Sequence, residues 1–234
     1  GAFGVERMYV RHFDAAFASW PPERFARELV AGALLARVVV VGANFRFGAK
    51  RAGDLALLRE LGAELGFDVR VHSVASDAHG RYSSTRARQG VVSGNLDEVR
   101  RVLGRPHALT GVVVHGDERG RTIGFPTANL SATPELLPPK GVYAVRVERY
   151  DETARAFVPL ANGVTNVGVR PTVGGEGLSV ETYLLDFSAD LYGSRLRLEL
   201  VARLREEKKF ASLDALKAQI AADTAVARAA LALP

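Results

Sequence analysis

Apolar and polar positions follow two rhythms along the chain. In residues 1–104, short apolar runs alternate with stretches of helical spacing. Arg7-Met8-Tyr9-Val10 predicts a short strand. Pro21-Pro22 opens a predicted helix with Phe25, Leu29, Val30 and Ala33 on one side, since proline suits a first turn. Residues 38–41 are apolar throughout, the pattern of a strand buried on both faces. Asp54 can cap a helix carrying Leu57, Leu58, Leu61 and Leu65, which Gly66 stops. Val69, Val71 and Ser73 alternate as another strand, and Asn95 with Glu98 forms a capping pattern before Val99 and Leu103. This order predicts a parallel α/β sheet.

The second rhythm begins near Arg105-Pro106, which divides residues 1–104 from 105–234. Strand-like alternation recurs at residues 109–115, 142–148, 157–160, 180–187 and 195–204. Turn clusters such as Gly174-Gly175-Glu176-Gly177 separate these runs, the spacing of an antiparallel barrel or sandwich. Ser212 caps a final helix with Leu213, Leu216 and Ile220 at helical spacing, placed to close one side of the β domain. No internal repeat or low-complexity tract interrupts the pattern.

Composition narrows the setting. At 234 residues, 47% hydrophobic and 24% charged, the chain is long enough for one large or two modest globular domains. Cysteine is absent, which excludes disulfides and thiolate metal sites and favours a reducing, cytoplasmic setting. The five histidines show no paired zinc spacing. No apolar run approaches the ~20 residues of a membrane span, and Gly1-Ala2-Phe3-Gly4 does not read as a signal peptide. Net charge is +5, but no block of five like charges and no basic aromatic stripe occurs. The charge therefore reads as solvated surface and contacts to small anionic substrates rather than to nucleic acid. Nothing in the sequence addresses oligomeric state.

Three stretches carry chemistry. Gly120 to Asn129 holds two glycines, a proline, two threonines and an asparagine after a strand-like run. Glycines allow backbone N–H groups to approach a phosphate. Thr127 and Asn129 are two apart, so in extended chain their oxygens share a side and suit Mg²⁺. The spacing alone fits equally a Gly/Pro turn with a capping threonine. In the second stretch, Glu181 lies in a strand pattern rich in Val, Leu and Phe and shares a face with Tyr183 and Leu185. It reads either as a general base or as a cross-strand partner for an arginine. The third stretch, residues 204–210, is a charged strand-to-helix connector. Neither a G-x-x-x-x-G-K-[ST] loop nor the protein-kinase motif set is present.

The run His115-Gly-x-x-x-Gly-Arg-x-x-Gly-Phe-Pro-Thr-Ala-Asn129 resembles the signature of the riboflavin kinases. The chain as a whole resembles the bacterial bifunctional riboflavin kinase/FAD synthetases, most densely over residues 103–228. The resemblance implies an α/β, Rossmann-like nucleotidylyltransferase remnant followed by an antiparallel β-barrel kinase domain with a C-terminal helix. It implies ATP contacts at Gly116 and Arg121, Mg²⁺ ligands at Thr127 and Asn129, and a catalytic base at Glu181. Leu184, Asp186 and Tyr192 match nucleotide-site positions, and Arg205, Lys208 and Phe210 match flavin-site positions. Arg170-Pro171-Thr172 also matches, with a loop-shaping role only. The implied reaction transfers the γ-phosphate of ATP to the 5′-hydroxyl of riboflavin, giving FMN.

In the first domain, residues 41–48 and 83–88 resemble the adenylyltransferase half. Ser84, Thr85, Arg86 and Arg88 match positions that touch nucleotide phosphates, and Ser/Thr at a helix start followed by arginines suits an anion. The family's Gly-x-Phe-Asp-Gly-x-His-x-Gly-His run is absent from these residues, and Ala43 and Asn44 stand where acids are usual. The expectation is therefore a fragment or degenerate scaffold with negligible FAD synthesis. The alternatives are a bifunctional enzyme if the native chain carries the HxGH segment upstream, a non-catalytic flavin-binding module, and nucleic-acid binding driven by the basic charge.

Overall fold

A computed structural model describes residues 4–116, 124–131, 133–172 and 175–232. The chain forms two compact units, Gly1–Arg81 and Tyr82–Pro234.

The first unit is a small α/β layer. Helix α1 (Ala15–Ala18) is capped by the Asp14 carboxylate. Helix α2 (Pro22–Arg24) runs on as a wider, π-helical Phe25–Ala33. Strands β1 (Val38–Gly42) and β2 (Asp68–His72) pair in parallel, and α3 (Leu55–Leu65) supplies the crossover. As expected, the Asp54 side chain caps α3, and Gly66 ends it in the left-handed conformation. Short strands β3 (Ser76–Asp77) and β4 (Gly80–Arg81) complete the unit. Ala26, Val30, Phe47, Leu58, Leu61 and Phe67 form its core.

Two expectations need correction here. Residues 7–10 form no strand; Met8 and Val10 are exposed, so their apolar spacing has no core to serve. Strand β1 is buried on one face only. Val39 and Val41 pack on the core, whereas Val38 and Val40 are 42% and 63% exposed. The parallel pair has its apolar cover on one side among the described residues.

In the second unit, α4 (Ser84–Ser93) and α5 (Leu96–Leu103) precede a closed barrel. Its strands are β5 (Ala108–Val114), β6 (Thr127–Leu130), β7 (Gly141–Asp151), β8 (Ala156–Thr172), β9 (Gly175–Leu184) and β10 (Arg195–Arg205). The circular order is β10-β5-β6-β9-β8-β7, antiparallel throughout. The barrel alternative therefore holds over the sandwich. Leu109, Val113, Tyr143, Val145, Val147, Val167, Val180, Leu196, Leu198 and Leu200 fill the interior. Thr165 and Thr182 are also fully buried, and their hydroxyls satisfy each other at 2.8 Å. Of the expected turn at residues 174–177, residue 174 lies outside the described residues, and residues 175–177 belong to β9.

Helix α6 (Leu213–Leu231), capped by Ser212, lies on the outside of the barrel. Its Ala227 and Leu231 pack on Val142, Ala144, Val164 and Leu185. The sequence rhythm changes at Arg105-Pro106, whereas the compact unit starts at Tyr82. Leu96 of α5 explains the offset, because it packs into the barrel core cluster. A change of rhythm marks where strands begin, not where packing begins.

Candidate active site on the outer face of the barrel

Strand β6 is four residues long and alternates strictly. Ala128 and Leu130 are buried; Thr127 and Asn129 are half-buried on the outer face. The antiparallel register then builds a row across that face. Asn129 stands opposite Glu181, Glu181 opposite Asn166, Asn166 opposite Val142, and Val142 opposite Arg205. The adjoining row runs Thr127, Tyr183, Val164, Ala144. Directly opposed side chains lie about 4.5–5.5 Å apart at Cβ, so Glu181 sits between two carboxamides.

A cavity of about 550 Å³ opens over these rows, under α6. Its walls include Thr127, Glu181, Asn166, Tyr183, Arg205, Lys208, Phe210 and Asp223, with Leu216 and Ile220 from α6. Phe125 meets Tyr183 edge-on, with ring centroids 5.3 Å apart. A second cavity of about 460 Å³ lies where β6 begins and β9 ends. Pro126, Thr127, Leu184, Phe187, Asp190 and Tyr192 line it. Thr127 belongs to both cavities. The Tyr192 ring stacks on His115 at 3.8 Å.

Gly116 is bound up with the same site. A Cβ there would lie 2.5 Å from Asn129 Cγ and 2.8 Å from its Oδ1. The glycine thus lets the Asn129 carboxamide rest against the chain that follows β5. Across the row, a Cβ at Gly168 would lie 2.6 Å from Glu207 Oε1 and 2.9 Å from Asn166 Nδ2. Glycine at 168 makes room for both side chains at the cavity wall.

The flavin-site candidates are tied together. Arg205 donates from Nε to both oxygens of Asp223 at 3.0 Å, and from Nη2 to Oδ2 at 2.8 Å. Lys208 donates to Gln219, and both Arg205 and Lys208 lie over the Phe210 ring. The nucleotide candidates are less uniform. Leu184 and Tyr192 line the second cavity, but Asp186 lines neither cavity. It is exposed, in the left-handed conformation (φ 55°), and forms a bidentate pair with Arg228 at 2.7 Å. The Arg228 hydrogen bonds hold the Asp186 carboxyl below its ordinary value and raise the Arg228 guanidinium in turn. Arg121 lies outside the described residues.

Of the adenylyltransferase candidates, Ser84, Thr85 and Arg88 are exposed on the first turns of α4. The α4 cap is the Ser83 hydroxyl, which accepts from the Arg86 N–H. The Arg86 guanidinium pairs with Glu98 of α5, so it already has an anionic partner.

Sequence reasoning missed Asn166, Glu207, Gln219 and Asp223. Asn166 carried a signal, since it stands between Val164 and Gly168 on the same side of the strand pattern, a polar amide flanked by an apolar and a small residue. Asp223 carried a stronger one. It interrupts the helical stripe Leu216, Ile220, Ala227, Leu231. Pairing between a carboxylate on α6 and the end of β10 is legible only in three dimensions.

The barrel with its helix and paired cavities is the part that a riboflavin kinase family model matches, over residues 103–231. An FAD synthetase family model matches residues 1–86. The chain belongs to the bifunctional riboflavin kinase/FMN adenylyltransferase family. It is 44% identical over 225 residues to the enzyme of that name from Escherichia coli K12, covering 96% of this chain and 70% of the relative. With the Pseudomonas fluorescens enzyme the identity is 39% over 235 residues, covering 100% of this chain and 73% of the relative. A crystal structure described as a macrolide-efflux protein from Streptococcus pneumoniae matches with TM-score 0.82 and 34% identity, over 96% of this chain and 70% of that one. Among the described residues here, no helix is long and apolar enough to cross a membrane.

Proposed function

We propose that the chain is an ATP:riboflavin 5′-phosphotransferase that holds riboflavin in the larger cavity and ATP in the smaller one. The carrying observation is Thr127, which borders both cavities and so marks where the γ-phosphate meets the flavin hydroxyl. The row from Glu181 to Arg205 crosses three strand spacings, roughly 14 Å along the sheet. That span suits a tricyclic ring bearing a five-carbon polyol. The ring then lies by Arg205, Lys208 and Phe210, and the polyol reaches toward Glu181.

Glu181 is the general base in this reading. It accepts the proton of the 5′-hydroxyl as that oxygen forms its bond to the γ-phosphorus, and ADP departs with the cleaved bond's electrons. Asn166 faces the polyol beside Glu181. Gly116, Leu184 and Tyr192 border the nucleotide, and Arg121 is the cation of the phosphate loop. Asp186, held by Arg228, is proposed as a hydrogen-bond acceptor for the adenosine. Thr127 and Asn129 offer neutral oxygens on one face beside the Glu181 carboxylate, a donor set that fits a hard cation. They would hold Mg²⁺, which spreads the charge on the transferring phosphoryl group.

Kinase chemistry is assigned to residues 105–234 and the adenylyltransferase-like part to residues 1–104. No HxGH run occurs in the 234 residues, and the transferring phosphate of adenylyl transfer lacks its usual stabilising groups. This chain is therefore expected to stop at FMN. Small-molecule substrates account for the positive charge without nucleic acid or membrane, and a cysteine-free, ATP-using chain suits the cytoplasm. The test is incubation with riboflavin, ATP and Mg²⁺, followed by chromatography of flavins. FMN without FAD is expected. Riboflavin binding with no FMN would establish a binding module instead, and FAD formed as fast as FMN would overturn the assignment of residues 1–104.

A further inference from the structure

Asp223 is only 5% exposed, and no step of phosphoryl transfer uses it. A buried carboxylate needs partners. Asp223 has three hydrogen bonds from Arg205 and a fourth from Gln219 Nε2 at 2.7 Å. Gln219 in turn accepts from Lys208 Nζ at 2.5 Å. The Phe210 ring lies 5.6 Å from the Arg205 guanidinium and 5.4 Å from Lys208 Nζ. Two side chains of α6 therefore fasten Arg205 and Lys208 at the cavity wall, and through them the Phe210 ring.

Two physical effects follow. Arginine and lysine lose much rotamer freedom when they hold a ligand, and here that freedom is already removed before binding. The Asp223 charge also offsets that of Arg205, and Glu207 balances Lys208 in the charge of the same wall, so this end of the cavity presents a stacked wall with little net charge. Such a wall suits an uncharged ring better than a phosphate. We propose that Asp223, assisted by Gln219, is a positioning residue that preorganises Arg205, Lys208 and Phe210 for the flavin ring. The proposal rests on the riboflavin kinase reading given above.

The test uses the full chain with the variants Asp223→Asn, Gln219→Ala and Arg205→Ala. Steady-state kinetics would give KM for riboflavin and for ATP. Fluorescence quenching would give the affinity for lumiflavin, which carries the ring without the polyol. For Asp223→Asn, riboflavin KM should rise about tenfold, the size of one charge-assisted hydrogen bond. Lumiflavin affinity should fall in parallel, while kcat and ATP KM stay within about threefold, a change worth well under 1 kcal/mol. Gln219→Ala should move riboflavin KM in the same direction by less. Arg205→Ala combined with Asp223→Asn should cost no more than the worse single change. A folded Asp223→Asn protein with unchanged riboflavin KM, or with kcat lowered instead, overturns the proposal. If Asp223→Asn does not fold, Gln219→Ala decides, and an unchanged riboflavin KM there also overturns it. Wild-type protein that forms no FMN would instead remove the kinase reading itself.

Discussion

Replacing Gly116 with alanine tests the link between the loop after β5 and the proposed metal ligand. The new Cβ would lie 2.5 Å from Asn129 Cγ. Ordinary carbon contacts begin near 3.5 Å, so the carboxamide has to retreat by roughly 1 Å. Gly116 is not among the residues with positive φ, so alanine brings no backbone strain of its own. The effect should therefore fall on ligand placement rather than on folding. A displacement of about 1 Å in a catalytic group can cost ~10²-fold in rate. Gly116→Ala should lower kcat/KM for Mg²⁺-ATP by about 10–100-fold, with riboflavin affinity and melting temperature close to wild type. Asn129→Ala should reproduce the defect, since it removes the same oxygen. FMN formation titrated with Mg²⁺, beside a thermal melt, measures both quantities. Full activity of Gly116→Ala at limiting Mg²⁺ would show that Asn129 is not held by this contact or is not a ligand.

The remaining expectations concern the base, the core and the surface. Glu181→Gln should lower kcat by ~10²–10⁴-fold with both substrate affinities retained; a cross-strand ion-pair role would leave turnover nearly intact and cost about 1 kcal/mol or less. Thr182→Val should strand the buried Thr165 hydroxyl, costing about 1–3 kcal/mol and lowering the melting temperature by roughly 2–10 °C. Adding Thr165→Val should recover most of that loss, and a double variant no more stable than the single would refute the pairing. Because Arg228 depresses the Asp186 carboxyl below its ordinary 3.8, the pair adds stability above that value and loses it as pH falls through the folded one. Melting temperatures of wild type and Asp186→Asn should thus differ near neutrality and converge in acid; a difference independent of pH would contradict this.

Much of the layout of the candidate site was readable because its residues follow strand alternation. Thr127 with Asn129, and Glu181 with Tyr183, sit two apart and share a face, as a period of two requires. Helix caps at Asp54, Asn95 and Ser212 were equally local, each fixed by a side chain and an N–H three residues on. What periodicity leaves open is partnership. Nothing in residues 127–130 announces that β6 joins β5 to β9, or that Asn166 flanks Glu181 from the other side. Asp223 finds Arg205 eighteen residues away through the turn between β10 and α6. The apolar run of β1 misled for a related reason, since uniform hydrophobicity does not say how many faces receive a cover.

Strand β6 also limits how this family of sites can change over evolutionary time. Its four side chains divide evenly, two for the barrel interior and two for the proposed metal. A one-residue insertion or deletion within the strand would exchange those roles, turning threonine and asparagine inward and alanine and leucine outward. Core and ligand set would fail together, with no intermediate in which only one is damaged. Length variation is thus closed to this segment, and point substitution at 127 or 129 is the remaining route to altered metal use.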